Sequence, residues 1–245
     1  MSFASEGYQI INIGNKRELV NLRKTFIDIF SLASKLNGYK AIKSEKNIID
    51  LYKKKKTVWV AGYDQIRMLP EINDIISKKF VDICSKTANI KRPAFTSKPI
   101  VRVGMPGNIG TGKTEAHIDY PSHRGSKNAI TVWFPLQDTD KKNGTLKIYP
   151  KSHKMKTWYG DIKKNTIMRK DLPSNKYEKN LIDINLKLGQ ALVISQFLVH
   201  GSGDHKSNTV RFTLDFRLND LSDSLYAQRK YYINQIISYK KTGRK

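Results

Sequence analysis

Apolar residues in the first ninety positions recur every three or four places. Over Arg17 to Leu36, the residues Leu19, Leu22, Phe26, Phe30 and Ala33 fall on one face of a predicted helix. Ser44 to Tyr52 predicts a second helix, opening on Ser44 as N-cap before Glu45 and Lys46. Pro70 to Ala88 predicts a third, with Pro70 in its first turn and Ile72, Ile75, Ile76, Phe80 and Ile83 on one face. After Pro93 the spacing changes. Pro99 to Val103, Ala129 to Phe134, Thr145 to Tyr149, Ala191 to Ile194 and Val210 to Leu218 are short and rich in β-branched and aromatic residues. Gly, Pro, Asn and Asp separate them, which predicts strands.

No helix-length segment alternates with these strands, so a doubly wound parallel sheet is disfavoured. Helices followed by many short strands predict an α+β fold, a β-sandwich or barrel buttressed by N-terminal helices. The chain reads as a single domain over 1–245. Its parts are a mainly helical 1–95, a β-rich core at 96–220 and a basic extension at 221–245. Lys151 to Asn180 is the longest irregular stretch, and a connection of that length in a compact domain is expected to be functional or mobile.

Bulk properties narrow the class. A chain of 245 residues has ample length for a core. No apolar run approaches the ~18 residues of a membrane span. Met1 to Gly7 lacks the basic-then-apolar order of a signal peptide, so a cytoplasmic location is expected. The lone Cys84 excludes an internal disulfide and a cysteine-built zinc site, and its apolar helical setting predicts a buried, inert thiol.

Charge is the unusual property: 45 Lys and Arg against 21 Asp and Glu, a net +24. Such a field attracts anions. The lysines are nevertheless scattered through nearly every segment, and the densest run, Lys53 to Lys56, reads as a solvated helix face or end. The chain has neither zinc-finger spacing nor an aromatic–basic RNA motif, so no specific nucleic-acid partner is expected. A small anionic substrate suits the charge better. Oligomeric state is not legible.

Two strings compete for the chemistry. Gly107 to Thr114 spells G-x-x-x-x-G-K-T, the loop that cradles nucleotide phosphates and would make the chain a nucleotide-binding protein or kinase. That loop needs a helix opening at Lys113, and Pro121 interrupts the run within two turns. Three residues beyond, His117 and Asp119 spell H-x-D. In an extended segment, residues two apart share a face, so the two side chains can converge on one metal. Iron(II) oxygenases use two His and one carboxylate. The missing His is offered by Leu188 to Gly203, an apolar strand pair ending on His200. Arg211 follows eleven residues later, in an alternating strand that puts Arg211 and Thr213 on one face. A buried Arg calls for an anion, and a planar carboxylate is its best partner.

These words in this order carry a resemblance: His117-Ile-Asp119, Thr131 to Asp138, Asn143 to His153, Leu188 to Val193, and His200-Gly-Ser-Gly with Arg211. From about Val101 to Leu218 the chain resembles the phytanoyl-CoA dioxygenase-like family of Fe(II)- and 2-oxoglutarate-dependent oxygenases. The resemblance implies a double-stranded β-helix, a jelly-roll barrel with the metal at its mouth. It implies iron ligation by His117, Asp119 and His200. It also implies that Arg211 binds the far carboxylate of 2-oxoglutarate, with Ser202 as a hydroxyl partner and Trp133 as a wall. Strand geometry adds Thr213 beside Arg211. Arg102, on the strand before the metal loop, is a further candidate for an anion.

The implied reaction consumes O2 and 2-oxoglutarate, releases succinate and CO2, and hydroxylates a small molecule. Related halogenating enzymes lack the carboxylate ligand, so Asp119 favours hydroxylation. A non-catalytic barrel is disfavoured by the intact ligand set. One departure stands out: the family's Pro-Gly-Ser-His word has Lys151 in place of Gly. His153 in that word is expected to be structural, and His123 and His205 to be solvent-exposed. Lys113, Arg124 and Lys127 are expected near the mouth, and the 151–180 stretch could close over it.

Overall fold

A computed structural model describes residues 2–123, 125–155, 158–159, 168–169, 179–224 and 226. Arg124, most of the expected 151–180 lid and most of the 221–245 extension lie outside the described residues.

Among the described residues seven α-helices form: α1 (Phe3–Glu6), α2 (Lys16–Leu36), α3 (Glu45–Lys54), α4 (Lys56–Ile66), α5 (Glu71–Ile75), α6 (Lys78–Thr87) and α7 (Tyr120–His123). Twelve strands accompany them there. They are β1 (Tyr8–Asn12), β2 (Pro93–Phe95), β3 (Ile100–Met105), β4 (Ile109–Gly110), β5 (Ile130–Pro135) and β6 (Leu146–Ile148), followed by β7 (Trp158–Tyr159), β8 (Met168–Arg169), β9 (Ile182–Ile184), β10 (Gln190–Ser195), β11 (His200–Ser202) and β12 (Arg211–Asp220).

The larger sheet runs β1-β10-β5-β12-β3-β4, with β2 added along the far end of β12, and the smaller runs β11-β6-β9. Each of their ladders is antiparallel. Both faces of the larger sheet are covered, and alternation along its strands sorts them. Phe212, Leu214, Phe216 and Leu218 of β12 join Val132 and Phe134 of β5 and Val101 and Val103 of β3 in a core shared with the N-terminal helices. On the opposite face, Trp133, Leu192 and Ile194 pack with Ile148, Ile184, Leu186 and Leu198 from the smaller-sheet side. The two sheets therefore enclose an interior, and the fold is the double-stranded β-helix expected from the sequence.

Three details differ from the sequence reading. Pro70 to Ala88 forms two helices rather than one. Ile76 leaves the helical region at ψ 55° and Ser77 is extended, its side chain capping α6 by accepting from Phe80 N. A hydroxyl able to cap competes with helix continuation, and here it wins. The helix α4 was hidden behind the lysine run, which spans the α3–α4 junction. The N-terminal part also contributes β1, an edge strand paired to β10 from Tyr8↔Ile194 to Asn12↔Gln190. Cys84 is fully buried, and burial pushes its thiol pKa up, as expected of an inert residue. Among the described residues no helix is long and apolar enough to cross a membrane.

Candidate metal centre

His117 sits in an isolated bridge to His200, with His117 N donating to His200 O at 2.9 Å and His200 N returning a bond of the same length. This bridge pins the loop before α7 to β11 and fixes the two imidazoles 4.3 Å apart, centre to centre. Asp119 closes the same segment, two residues on. One ligand atom from each of His117, Asp119 and His200 lies within 4.8 Å of the others. His117 Nε2 is 3.4 Å from Asp119 Oδ1, and His200 Nε2 is 3.9 Å from Asp119 Oδ2.

The ring nitrogens facing away are committed. His117 Nδ1 lies 2.8 Å from Glu115 O, and His200 Nδ1 lies 2.9 Å from Leu198 O. A carbonyl can only accept, so each Nδ1 carries a proton, and each Nε2 is turned inward toward Asp119. That outer hydrogen bond is how metal-binding histidines are oriented. Burial, with His117 close by, lowers the His200 pKa to about 4, which keeps the ring neutral. Asp119 is only 3% exposed. Burial opposes its ionisation, but His200, His117 and Arg217 outweigh that and hold its carboxyl well below the usual range. Two imidazoles and one carboxylate therefore converge as a divalent cation requires, and the residues fit the group.

A cavity of about 60 Å³ opens beside the triad, lined among others by His117, His200, Trp133, Ser202, Arg102, Arg211 and Thr213. Every cofactor-binding residue expected from the sequence reaches it. Arg211 is 7% exposed, and its Nε has no hydrogen-bond partner among the described residues; its Nη1 reaches Asn143 O at a long 3.4 Å. Burial, with Arg102 nearby, lowers its pKa to about 10. The guanidinium lies against bare backbone: a Cβ at Gly104 would come within 2.9 Å of Arg211 Nη2, and one at Gly144 within 3.1 Å of Nη1. Thr213 Oγ1, also buried, has no partner among the described residues either. A buried cation and hydroxyl left unsatisfied are costly alone and suit an anionic ligand. Ser202 Oγ accepts from Thr114 N at 3.2 Å, and Arg102 Nε donates to Asp215 Oδ2 at 3.2 Å.

The remaining expectations divide. His153 is structural, its Nε2 donating to Ala4 O at 3.2 Å. Lys151 adopts φ 65°, the left-handed conformation that explains why glycine is usual in that turn. The expected exposure of His123 and His205 is corrected. His205 is buried, because its loop is stitched to neighbours: it bridges Asn143, its N–H donates to Asn108 Oδ1, and its carbonyl accepts from Gly107 N. His123 is half-buried on α7, its Nε2 3.8 Å from Asp119 Oδ1. Lys113 lines an adjoining groove of about 320 Å³ and pairs with Asp204 at 3.1 Å, whereas Lys127 lines neither space. No helix opens at Lys113, which lies in coil, so the phosphate-loop string has no structural support; the next helical turn after it begins only at Tyr120.

Three polar residues that the sequence reading passed over complete the interior. Thr131 Oγ1 donates to Asp119 Oδ2 at 2.5 Å. Arg217 Nη1 donates to Asp215 Oδ1 at 3.0 Å, and its Nε lies 3.4 Å from Asp119 Oδ2. The alternation that pairs Arg211 with Thr213 continues through Asp215 and Arg217 and puts all four on one face, but only the smaller sheet packed across that face makes it interior.

The family described as Phytanoyl-CoA dioxygenase (PhyH) matches residues 39–213. The chain belongs to that family. The rice protein Phytanoyl-CoA dioxygenase 1 (Oryza sativa subsp. japonica) is 26% identical over 173 residues, covering 66% of this chain. The chain spans only 59% of that relative's length. Among solved structures, AviO1 from Streptomyces viridochromogenes Tue57 superposes with a TM-score of 0.58 at 14% identity, covering 90% of this chain and 93% of that one. EctD from S. alaskensis with bound Fe gives 0.56 at 13%, covering 91% and 75%. EctD with 2-oxoglutarate and 5-hydroxyectoine gives 0.56 at 12%, with the same coverage. These structural likenesses establish the shared fold.

Proposed function

We propose that this chain is an Fe(II)- and 2-oxoglutarate-dependent dioxygenase that hydroxylates a small anionic molecule. The observation that carries the reading is a coincidence in one interior. Two imidazole Nε2 atoms and a carboxylate converge beside a buried guanidinium whose Nε, and a buried hydroxyl, lack hydrogen-bond partners among the described residues. His117, Asp119 and His200 would hold the iron. Arg211 would bind the far carboxylate of 2-oxoglutarate, with Thr213 and Ser202 as hydroxyl partners, Trp133 as a wall and Arg102 as a second cation. Related folds crystallised with Fe and with 2-oxoglutarate agree with this assignment. Iron and 2-oxoglutarate together supply activation of O2, with loss of CO2, formation of succinate and transfer of one oxygen to the substrate.

The protein's own contributions follow from the geometry. The Nδ1–H···O=C bonds lock both imidazoles with Nε2 inward. Arg211 is itself buried, and the low local dielectric strengthens its pairing with a carboxylate. Arg102, Arg211 and Arg217 exceed Asp119 and Asp215 by one charge, which favours an anionic substrate group. Asp119 occupies the ligand position that halogenating relatives leave to a small residue, which supports hydroxylation.

A thermal-shift experiment tests the reading. Mn(II) with 2-oxoglutarate should raise the melting temperature of the wild type by mass action. His117→Ala should abolish that shift. A shift with Mg-ATP instead, lost in Lys113→Ala, would replace the reading with a nucleotide-binding one.

A further inference from the structure

Four charged side chains run through the barrel interior in alternating order. Arg102 Nε donates to Asp215 Oδ2 at 3.2 Å, Asp215 Oδ1 accepts from Arg217 Nη1 at 3.0 Å, and Arg217 Nε stands 3.4 Å from Asp119 Oδ2. Asp215, Arg217 and Asp119 are all buried. Taking such charges out of water carries a large desolvation penalty, and apolar residues would fill the volume at lower cost. The neighbours of Arg217 on β12 show that apolar side chains are available to this strand, since Phe216 and Leu218 are fully buried one position away. A packing role does not explain a guanidinium here.

The two oxygens of Asp119 are treated differently. Oδ2 accepts the short bond from Thr131 Oγ1 and faces Arg217 Nε. Oδ1 lies 3.4 Å from His117 Nε2 and 3.8 Å from His123 Nε2. Thr131 and Arg217 are cross-strand partners on β5 and β12, so the hydroxyl bonded to Oδ2 and the guanidinium beside it are held by one rung of the sheet, while His200 Nε2 stands farther off at 3.9 Å. Asp215 supplies the counter-charge that lets Arg217 remain there.

We infer that Arg217, with Thr131, is a positioning residue that withholds Oδ2, so that Asp119 offers a metal only Oδ1. A carboxylate binding through both oxygens takes two coordination positions, and one binding through a single oxygen takes one. The position saved is one that a chelating cosubstrate needs. This role rests on the metal reading above. It gives the electrostatics a definite sign: Arg217 repels the cation slightly and favours the cosubstrate by leaving it room.

The test is a pair of calorimetric titrations on the full chain, Mn(II) into the apoprotein and then 2-oxoglutarate into the Mn-loaded protein. In Arg217→Gln, Mn(II) should bind as in the wild type or more tightly. Binding of 2-oxoglutarate should weaken by roughly tenfold, equivalent to about 1.4 kcal/mol. Arg217→Lys should restore most of that loss by restoring the charge. Thr131→Val, which keeps the side-chain volume, should show the same split and carries the test if Arg217→Gln fails to fold. Parallel loss of both affinities in Arg217→Gln and Thr131→Val would show a merely structural role. Unchanged 2-oxoglutarate binding would also overturn the inference. A wild type that binds no Mn(II) would remove the metal reading itself, and this inference with it.

Discussion

The two faces of strand β12 are built on opposite principles. Toward the helices, Phe212, Leu214, Phe216 and Leu218 are fully buried, and Phe216 sits among Phe80, Phe95 and Phe134 at ring separations of 5.3, 5.7 and 6.2 Å. Toward the smaller sheet, Arg211, Thr213, Asp215 and Arg217 are also buried, yet Arg211 Nε and Thr213 Oγ1 find no partner among the described residues. One face is complete as folded. The other spends stability on groups that await something, and such local inconsistency is where function is expected. The helical layer provides the rigid support on which that inner face can be held.

This contrast can be broken at several points. The largest effect should come from the outer face: Phe216→Ala should lower stability by about 3–5 kcal/mol, as for a large aromatic truncated in a core. Urea unfolding reads the loss, and Mn(II) affinity at temperatures where the variant is folded should not change. Arg211→Leu should do the reverse. Removing a buried cation without a counter-charge should leave stability unchanged or raised. Binding of 2-oxoglutarate should meanwhile fall by roughly 1.5–3 kcal/mol for each charge-assisted hydrogen bond lost. If Arg211→Leu destabilises the chain as much as Phe216→Ala does, the two faces are not different in kind.

Acid should act on the inner side. Burial lowers the pKa of His123, His200 and His205 from the ordinary 6.5 to about 4. Between pH 6.5 and 4 the unfolded chain binds protons that the folded chain refuses, so stability should rise with pH across that window. Asp215, its pKa raised by burial, opposes this trend in part. Urea midpoints of the metal-free protein from about pH 4 to 7 measure the slope, which His205→Gln should make shallower. The smallest effect concerns a residue on neither face. Lys151 holds φ 65°, a conformation that costs a non-glycine residue roughly 1–2 kcal/mol. Lys151→Gly should therefore stabilise slightly, by less than that figure, because glycine is more flexible when unfolded and the 3.7 Å pairing with Glu6 is lost. Urea midpoints of the two proteins measure the difference.

The same contrast explains what the sequence disclosed. His117, Asp119, His200 and Arg211 were legible because ordered words with fixed spacing tied distant strands to one chemistry. The outer face of β12 was legible because alternation with apolar residues has a clear period. Arg217 and Thr131 were passed over because a charged or hydroxylic residue in a strand ordinarily faces solvent. Nothing local tells that the polar side of this strand lies inside a barrel. His205 was misjudged for a related reason: its burial depends on contacts with Asn108 and Asn143, far away in the chain. The edge strand β1 offered five residues with a single buried side chain, too weak a period to read. The break at Ser77 was a contest between a helical apolar pattern and a capping hydroxyl, which pattern alone does not decide.

Turnover decides whether the inner face holds iron and 2-oxoglutarate for oxidation chemistry. The most direct test is succinate release from 2-oxoglutarate in air by the Fe(II)-loaded chain, measured beside His117→Ala. The wild type should release succinate, faster in the presence of accepted substrate, and the variant none above background. Equal release by both proteins, or none by a wild type shown to carry Fe(II) and 2-oxoglutarate, would contradict this reading.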